Sequence, residues 1–300
     1  MPTSSLLPKP EWLKIRPPGG ETYARIKGLL KDLRLHTVCE EAACPNVAEC
    51  WGGGTATIML MGDTCTRGCK FCHVKTGNPK GWLDNEEPQK VARALASLGL
   101  TYVVLTSVDR DDLSDGGADH FAKTVEAIKQ SSPQTIVEVL IPDFQGDTAA
   151  LDRVIESGSE VIAHNVETVE SLTQVVRDGR CNYRISLEVL RYIKQKAPRI
   201  HTKSSIMLGL GETIDQVLSA MEDLRAVGVS ILTLGQYLRP SSWHLPVTEY
   251  IHPTVFAELE REGLQRGFLS VPSGPLVTSS YRAAEKFLEG LLRNGDGYPG

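Results

Sequence analysis

No stretch of this 300-residue chain approaches the roughly 18 consecutive apolar residues that a membrane-spanning helix needs, so no membrane role is expected. The opening MPTSSLLPKPEWLK has only a short apolar pair where a secretory leader needs a longer apolar core. A cytoplasmic protein is the expectation. Positive charge is also scarce: 32 Lys and Arg face 37 Asp and Glu, a formal net charge of -5. Nucleic-acid binders more often carry net positive charge, so no nucleic-acid partner is expected. No GxGxxG follows the first predicted strand, which leaves a dinucleotide-binding sheet with little support. An even cysteine count is missing too. Seven cysteines argue against a fully paired disulfide framework.

What is present is a long alternation of strands and helices. Hydrophobic residues make up 41% and charged residues 23%, enough for a large core. Strands are predicted at 56–61, 102–106, 136–141, 161–164, 202–208 and 231–234. Helices are predicted at 90–98, 118–129, 148–156, 183–196, 215–226 and near 255–261. Such alternation with short connections implies a parallel sheet with right-handed crossovers. The strand endings are polar (GDTC, TSVDRDD, HNVET, KSSIMLGLGE, GQYLRPS), as at a site on the C-terminal rim of a barrel. Six units predict an incomplete, open-sided barrel; a doubly wound sheet is the alternative. Residues 1–55, with a helix expected over 21–35, read as an N-terminal extension. Residues 56–262 read as the barrel, and 263–300, with a helix near 279–292, as a C-terminal extension.

Six of the seven cysteines fall in two triplets. Cys65, Cys69 and Cys72 are spaced C-x3-C-x2-C directly after the first strand. Cys39, Cys44 and Cys50 are spaced C-x4-C-x5-C. Thiolates are soft donors suited to iron–sulfur clusters and zinc. Three thiolates on one loop leave the fourth iron of a cluster open to a small chelating ligand. A structural zinc site instead prefers four closed ligands, and His73 is the candidate fourth for that plainer arrangement. The second spacing is not the common zinc pairing. Cys181 fits neither triplet and reads as a buried thiol.

The first triplet, with Phe71 before its last cysteine, resembles the radical S-adenosylmethionine superfamily. That resemblance implies a [4Fe-4S] cluster whose unique iron binds the amino and carboxylate groups of S-adenosyl-L-methionine, with Phe71 near the adenine. The two triplets together resemble the lipoyl synthase family. So do KPEWLK at 9–14, GGGTATIMLMGDTCTRGCKFC at 52–72, TSVDRDDLSDGGA at 106–118, HNVETVESL at 164–172, VRDGRCNYRISLEVL at 176–190, GLGE at 209–212, GQYLRPSSWHLPV at 235–247 and SSYRA at 279–283. The resemblance implies a radical SAM partial (β/α)6 TIM-like barrel with N- and C-terminal extensions. It implies a second, auxiliary [4Fe-4S] cluster on Cys39, Cys44, Cys50 and Ser279. The implied reaction inserts two sulfur atoms, at C6 and C8 of a protein-bound octanoyl-lysine group. Implied partners are an octanoylated lipoyl carrier domain, a reduced flavodoxin or ferredoxin, and a cluster assembly or repair protein. The family usually has Arg before the two serines and His after the tyrosine, where this chain has Thr278 and Arg282. Another two-cluster radical enzyme, such as a methylthiotransferase, is the alternative; it predicts a nucleic-acid module that is not evident. A two-cluster electron carrier is expected to be smaller, with four cysteines per cluster.

The chemistry agrees with the resemblance. Aliphatic C–H bonds are not acidic, so a positioned His or Glu cannot open them at neutral pH. A cofactor must carry that step while the protein binds and orients.

Further candidates lie near strand ends. Asn165 and Glu167 are polar groups suited to the cofactor's ribose or methionine, or to capping the next helix. Lys203 and Ser205 share one face of the fifth strand. A charge inside a barrel is costly unless paired, so Lys203 is expected to meet the cofactor carboxylate or a rim acid. Arg177 and Arg180 are candidates for substrate or cofactor oxygens. The charged run Asp109–Arg110–Asp111–Asp112 is expected either as a solvated turn or as an ordering element at the rim.

Overall fold

Strand segments that are apolar on both faces cannot lie on a surface, and here they form one sheet covered by helices. The computed structural model describes residues 8–14, 21–41, 57–280 and 290. Its main sheet runs β1 (His36–Thr37), β2 (Thr57–Leu60), β5 (Tyr102–Ser107), β6 (Ile136–Leu140), β7 (Val161–Ala163), β8 (His201–Leu208), β9 (Ile231–Gln236), β10 (Ser273–Gly274) in that spatial order. The six strands β2, β5, β6, β7, β8 and β9 pair in parallel, each with the next strand of the main sheet in chain order. This is the expected six-unit partial barrel. β1 pairs antiparallel on β2, and β10 adds in parallel to β9. Two further short strands, β3 (Thr64–Cys65) and β4 (Lys75–Thr76), pair outside the sheet.

The crossover helices are Glu87–Leu98, Ala118–Ser131, Thr148–Ile155, Tyr183–Lys196 and Ile214–Ala226, with Pro253–Gln265 after the last barrel strand. Their starts are chemically marked. The Asp147 carboxylate accepts from Ala149 N, Asn182 Oδ1 from Arg184 N and Ile185 N, and Thr213 forms a reciprocal capping box with Gln216. The helix expected from 90 begins at Glu87 because Pro88 fits the first turn, where its missing N–H costs nothing. The helix Glu21–Leu33 buries Ile26 and Leu30 in the same core as Val91, Leu95 and Phe121. The helix expected near 279–292 falls mostly on residues outside those described; Ser279 and Ser280 lie in a turn. Among the described residues, no helix is long and apolar enough to cross a membrane.

Alternation along the strands stacks the barrel interior in layers. Tyr102, Val104, Ile136, Val161 and Ile231 form an apolar plug at the N-terminal end. Glu138 and Lys203 sit within the barrel, both almost fully buried, with Lys203 Nζ donating to Glu138 Oε1 at 2.7 Å and Tyr102 Oη to Glu138 Oε2 at 2.5 Å. Two residues further along their strands, Leu140 and Ser205 face an open cavity.

Candidate functional site

The cavity occupies the C-terminal mouth of the barrel and measures about 400 Å³. It is walled by strand ends, including Met59, Thr106, Leu140, Ser205, Met207 and Gly235, and by the loops that follow them. Cys65, Cys69 and Cys72 all enter it from the loop after β2. None of the three is in a disulfide.

That loop is bent and anchored by named contacts. Met61 has a left-handed backbone (φ 66°). Its N–H donates to Glu87 Oε2 at 2.8 Å, and its carbonyl accepts from Arg110 Nη1 at 3.3 Å. Gly117 must be glycine here: its φ is +90°, and a Cβ would lie 2.3 Å from Met61 Sδ. Between the first two cysteines, Arg67 turns into the protein and is almost fully buried. It forks onto Asp143 (Nη1–Oδ2 and Nη2–Oδ1, both 2.8 Å) and onto Asp111 (Nε–Oδ2 3.0 Å, Nη2–Oδ1 2.9 Å). Lys70 N donates to Val176 O and Leu245 N to Lys70 O, and His244 Nε2 lies 3.0 Å from Cys72 O. The SSWHLPV segment therefore grips the cysteine loop from outside.

Electrostatics at the thiols are of two kinds. Burial, reinforced by the Asp109 carboxylate, pushes the Cys65 thiol up to about 12. Cys69 is raised by the neighbouring Cys181 thiol and by burial, and Cys72 by burial. Bare thiolates are thus disfavoured. Yet backbone N–H groups already point at sulfur: Arg67 N and Asp109 N at Cys65 Sγ (3.4 and 3.3 Å), and Asp178 N at Cys69 Sγ (3.3 Å). Thiolates whose charge is taken up by iron, with N–H donors on sulfur, suit this donor set. Among the described residues, no three His, Cys, Asp or Glu side chains gather closely enough to hold a single metal ion. His73, the zinc alternative's fourth ligand, instead places Nδ1 3.0 Å from Glu41 O. The three thiols on the cavity wall, with N–H donors aimed at their sulfurs, fit an iron–sulfur cluster.

The remaining candidates divide. Phe71, Asn165, Glu167 and Arg177 all line the cavity with the cysteines. Asn165 is buried, and its Oδ1 has no hydrogen-bond partner among the described residues. Glu167 is held by a left-handed backbone (φ 68°), with its N–H on Ser205 O and its carbonyl on Met207 N. Burial raises its carboxyl above the usual range, against the opposing pull of Arg177 and Asn165. Arg177 Nη1 donates to Ser186 Oγ at 3.0 Å. Of the two partners expected for Lys203, a cofactor carboxylate or an acid of the protein, the structure shows an acid: Glu138, across the barrel, and Lys203 is not among the residues that line the cavity. Arg180 is likewise turned away, bound to Asp178, Asp111 and Thr66 O.

The charged run after β5 is an ordering element and no solvated turn. Asp109 and Asp111 face Arg67, while Arg110 forks onto Asp112 and reaches Trp82 O. Burial raises the Asp109 carboxyl to about 6 despite Arg67. Burial would also raise Asp143, but the Arg67 hydrogen bonds hold it at about 2. The importance of Arg67 was missed in the sequence; the signal was a lone cation inside C-x3-C, facing a dense acidic loop elsewhere in the chain. Cys181, expected as a buried thiol, is buried; it also borders the cavity, and its Sγ lies 3.5 Å from Arg67 Nη1.

Segments before β2 and after β10 both reach this mouth. Val38, beside Cys39 in the short helix Val38–Glu41, lines the cavity, and so do Thr278, Ser279 and Ser280. Sheet curvature thus brings segments from its two opposite edges to one opening. Cys44, Cys50 and Arg282 lie outside the described residues.

Comparison with known proteins agrees with this geometry. The radical SAM superfamily model matches residues 59–224, and that for the N-terminal domain of lipoyl synthase of the radical SAM family matches 3–44. A lipoyl synthase from Anaeromyxobacter sp. (strain Fw109-5) is 60% identical over 284 residues, 95% of this chain and 96% of that protein. One from Thermus thermophilus is 57% identical, covering 95% of this chain and 88% of its own length. Among solved structures, methylornithine synthase (PylB) superposes with a TM-score of 0.55 at 17% identity, covering 82% of this chain and 74% of its own. The FeFe-hydrogenase maturase HydG from Carboxydothermus hydrogenoformans does so at 0.54 and 13%, covering 91% and 78%. These two share the fold. With a near-full-length match above half identity and three cysteines converging at the barrel mouth, the chain belongs to the lipoyl synthase family of radical SAM enzymes.

Proposed function

We propose that this chain inserts two sulfur atoms, at C6 and C8, into an octanoyl group amide-linked to a lysine of a lipoyl carrier domain. The observation that carries the reading is the single cavity shared by Cys65, Cys69, Cys72 and Ser279, bordered by the helix that holds Cys39. Bound there, one [4Fe-4S] cluster with S-adenosyl-L-methionine supplies a carbon radical able to take hydrogen from an unactivated chain, and a second supplies sulfide.

The residues divide that work. Cys65, Cys69 and Cys72 would hold the first cluster, and three thiolates would leave one iron free to take the cofactor's amino and carboxylate groups. Asn165, with its unpartnered Oδ1, and Glu167 offer acceptors for the cofactor's amino group or ribose hydroxyls. Arg177 offers the positive charge for its carboxylate, and Phe71 an apolar face for the adenine. Cys39, Cys44, Cys50 and Ser279 hold the second cluster. A serine oxygen is a harder donor than a thiolate and binds iron less tightly, which suits a cluster that is dismantled to give up sulfur. Leu140, Ile141, Val108 and Met207 give the cavity the apolar wall an octanoyl chain needs. The chain divides into 1–55, the N-terminal extension; 56–262, the barrel; and 263–300, the C-terminal extension. The electron comes from a reduced flavodoxin or ferredoxin, and an assembly protein rebuilds the second cluster.

An anaerobic incubation with an octanoyl-lysine peptide, S-adenosyl-L-methionine and reductant tests this. The expected products are 5'-deoxyadenosine and a peptide heavier by two sulfur atoms. Steady 5'-deoxyadenosine with no sulfur in the peptide would reject the assignment of the substrate.

A further inference from the structure

We infer that Gly235 is a positioning residue: its missing side chain is the seat on which the C-terminal segment rests to bring Ser279 to the cavity. The inference rests on the reading of Ser279 as an auxiliary-cluster ligand and adds what places it.

Gly235 lies near the end of β9, where it lines the cavity. Its φ is not in the left-handed region, so its backbone is open to any residue. Space explains the glycine. A Cβ built there would stand 2.0 Å from Val277 O and 3.0 Å from Val277 C. These are backbone atoms, so no side-chain rotation relieves the collision. The segment in question is carried as a continuation of the sheet. Leu232 N donates to Ser270 O and Leu234 N to Pro272 O, Ser273 pairs with Leu234 and Gly274 with Gly235. Ser273 Oγ donates to Phe256 O at 2.7 Å, tying this edge to the helix Pro253–Gln265. Val277 N then donates to Gly274 O at 3.0 Å, which turns the chain back across Gly235. Residues 275–280 all line the cavity beyond that turn. A displacement of Val277 by more than 1 Å, the least that ordinary van der Waals contact with a Cβ requires, is carried straight into Ser279, two residues on.

Gly274 supplies the internal control. It lies on the same turn and also lacks a left-handed φ. A Cβ there meets only Val277 Cγ2, at 3.4 Å. Gly235→Ala and Gly274→Ala therefore make the same chemical change on paired strands, with very different steric consequences.

The test is backbone hydrogen exchange over 270–280 in the full-length protein, with iron content after cluster reconstitution. Gly235→Ala should speed exchange at 273–278 by about tenfold or more, leave β5 to β8 protected, and lower iron from about eight to about four per chain. Gly274→Ala should track the parent in both. Unchanged exchange in Gly235→Ala overturns the seat. Accelerated exchange with iron still near eight supports the seat and rejects Ser279 as a ligand, so the two failures are distinguishable. If Gly235→Ala does not fold, the parent protein still decides: the Val277 and Leu234 amides should be protected together, and free exchange at Val277 beside a protected Leu234 overturns the inference.

Discussion

Arg67 and Asp143 meet inside the protein through two parallel hydrogen bonds of 2.8 Å, both side chains about 2% exposed. Arg67 stands between Cys65 and Cys69, and Asp143 follows the end of β6. The fork therefore fastens the cysteine loop to a barrel strand it does not neighbour. Asp111 takes the remaining edge of the guanidinium. A planar fork satisfies two carboxylates at once in a way an ammonium cannot.

Breaking this buried pair should be costly because one charge is left uncompensated. Asp143→Asn is expected to destabilise the apo-protein by about 3 kcal/mol, with Arg67→Lys similar or worse. Both variants should also bind the first cluster poorly. Urea unfolding of the apo-protein and iron retention against a chelator measure the two effects separately. If unfolding is unaltered, Arg67 does not anchor the loop.

The two cysteine triplets should fail differently. Changing Cys65, Cys69 or Cys72 to Ala is expected to abolish 5'-deoxyadenosine formation. Changing Cys39, Cys44 or Cys50 should leave cofactor cleavage in part while stopping sulfur insertion. Product analysis by mass spectrometry separates these, and labelled sulfide built only into the auxiliary site should appear in the product. An unlabelled product from an intact labelled cluster points to another donor.

Much of this was legible in the sequence because the signals were local. Six apolar runs separated by helical periodicity specify the parallel barrel, and the cysteine spacings specify soft donors on a loop. What escaped was set by long-range pairing. A lone cation on a barrel strand needs an anion, but nothing local to Lys203 chooses between a cofactor carboxylate and an acid, or shows that Glu138, on a non-adjacent strand, is that acid. The partners of Arg67 lie in two different loops. β1 and β10, two residues each, are too short for periodicity to register, yet the residues that follow each of them line the cavity mouth. His244 holds the Cys72 carbonyl from a segment more than 170 residues away in sequence.

His164 gives a pH signature. Its Nδ1 donates to Ile141 O at 2.9 Å, and its Nε2 lies 2.9 Å from Ser186 Oγ, which also accepts from Arg177. The ring is neutral because its pKa is lowered, and with the proton on Nδ1 its Nε2 accepts from the Ser186 hydroxyl. Burial, then the Arg177 charge, hold His164 down at about 4, with Asp143 pulling the other way. The unfolded chain titrates near 6.5 and binds the proton first. The stabilisation is therefore fully present above pH 6.5 and is lost as pH falls towards 4. Relative to His164→Gln, the parent should lose up to about 3 kcal/mol across that window. Apo-protein unfolding at several pH values checks it; parallel curves for parent and variant would refute the assignment.

The last expectation separates two adjacent serines. Ser279 and Ser280 both line the cavity, so position alone does not choose between them. Neighbouring side chains on a turn point in different directions, and one iron needs one oxygen. The family resemblance assigns the first of the pair. Ser279→Ala should then lose auxiliary iron and sulfur insertion while keeping the first cluster and cofactor cleavage. Ser280→Ala should retain both clusters. Ser279→Cys is the more telling change. A thiolate is the softer donor and holds iron more firmly, so this variant should keep full iron yet turn over slowly, because release of that iron accompanies sulfide transfer. Iron counts with rapid-quench product analysis give the two readouts. Ser279→Cys turning over at the parental rate would separate iron release from the serine. In a structure with both clusters bound, a Ser279 oxygen beyond roughly 2.5 Å from every auxiliary iron would reject ligation outright, since oxygen donors bind such metals at about 2 Å.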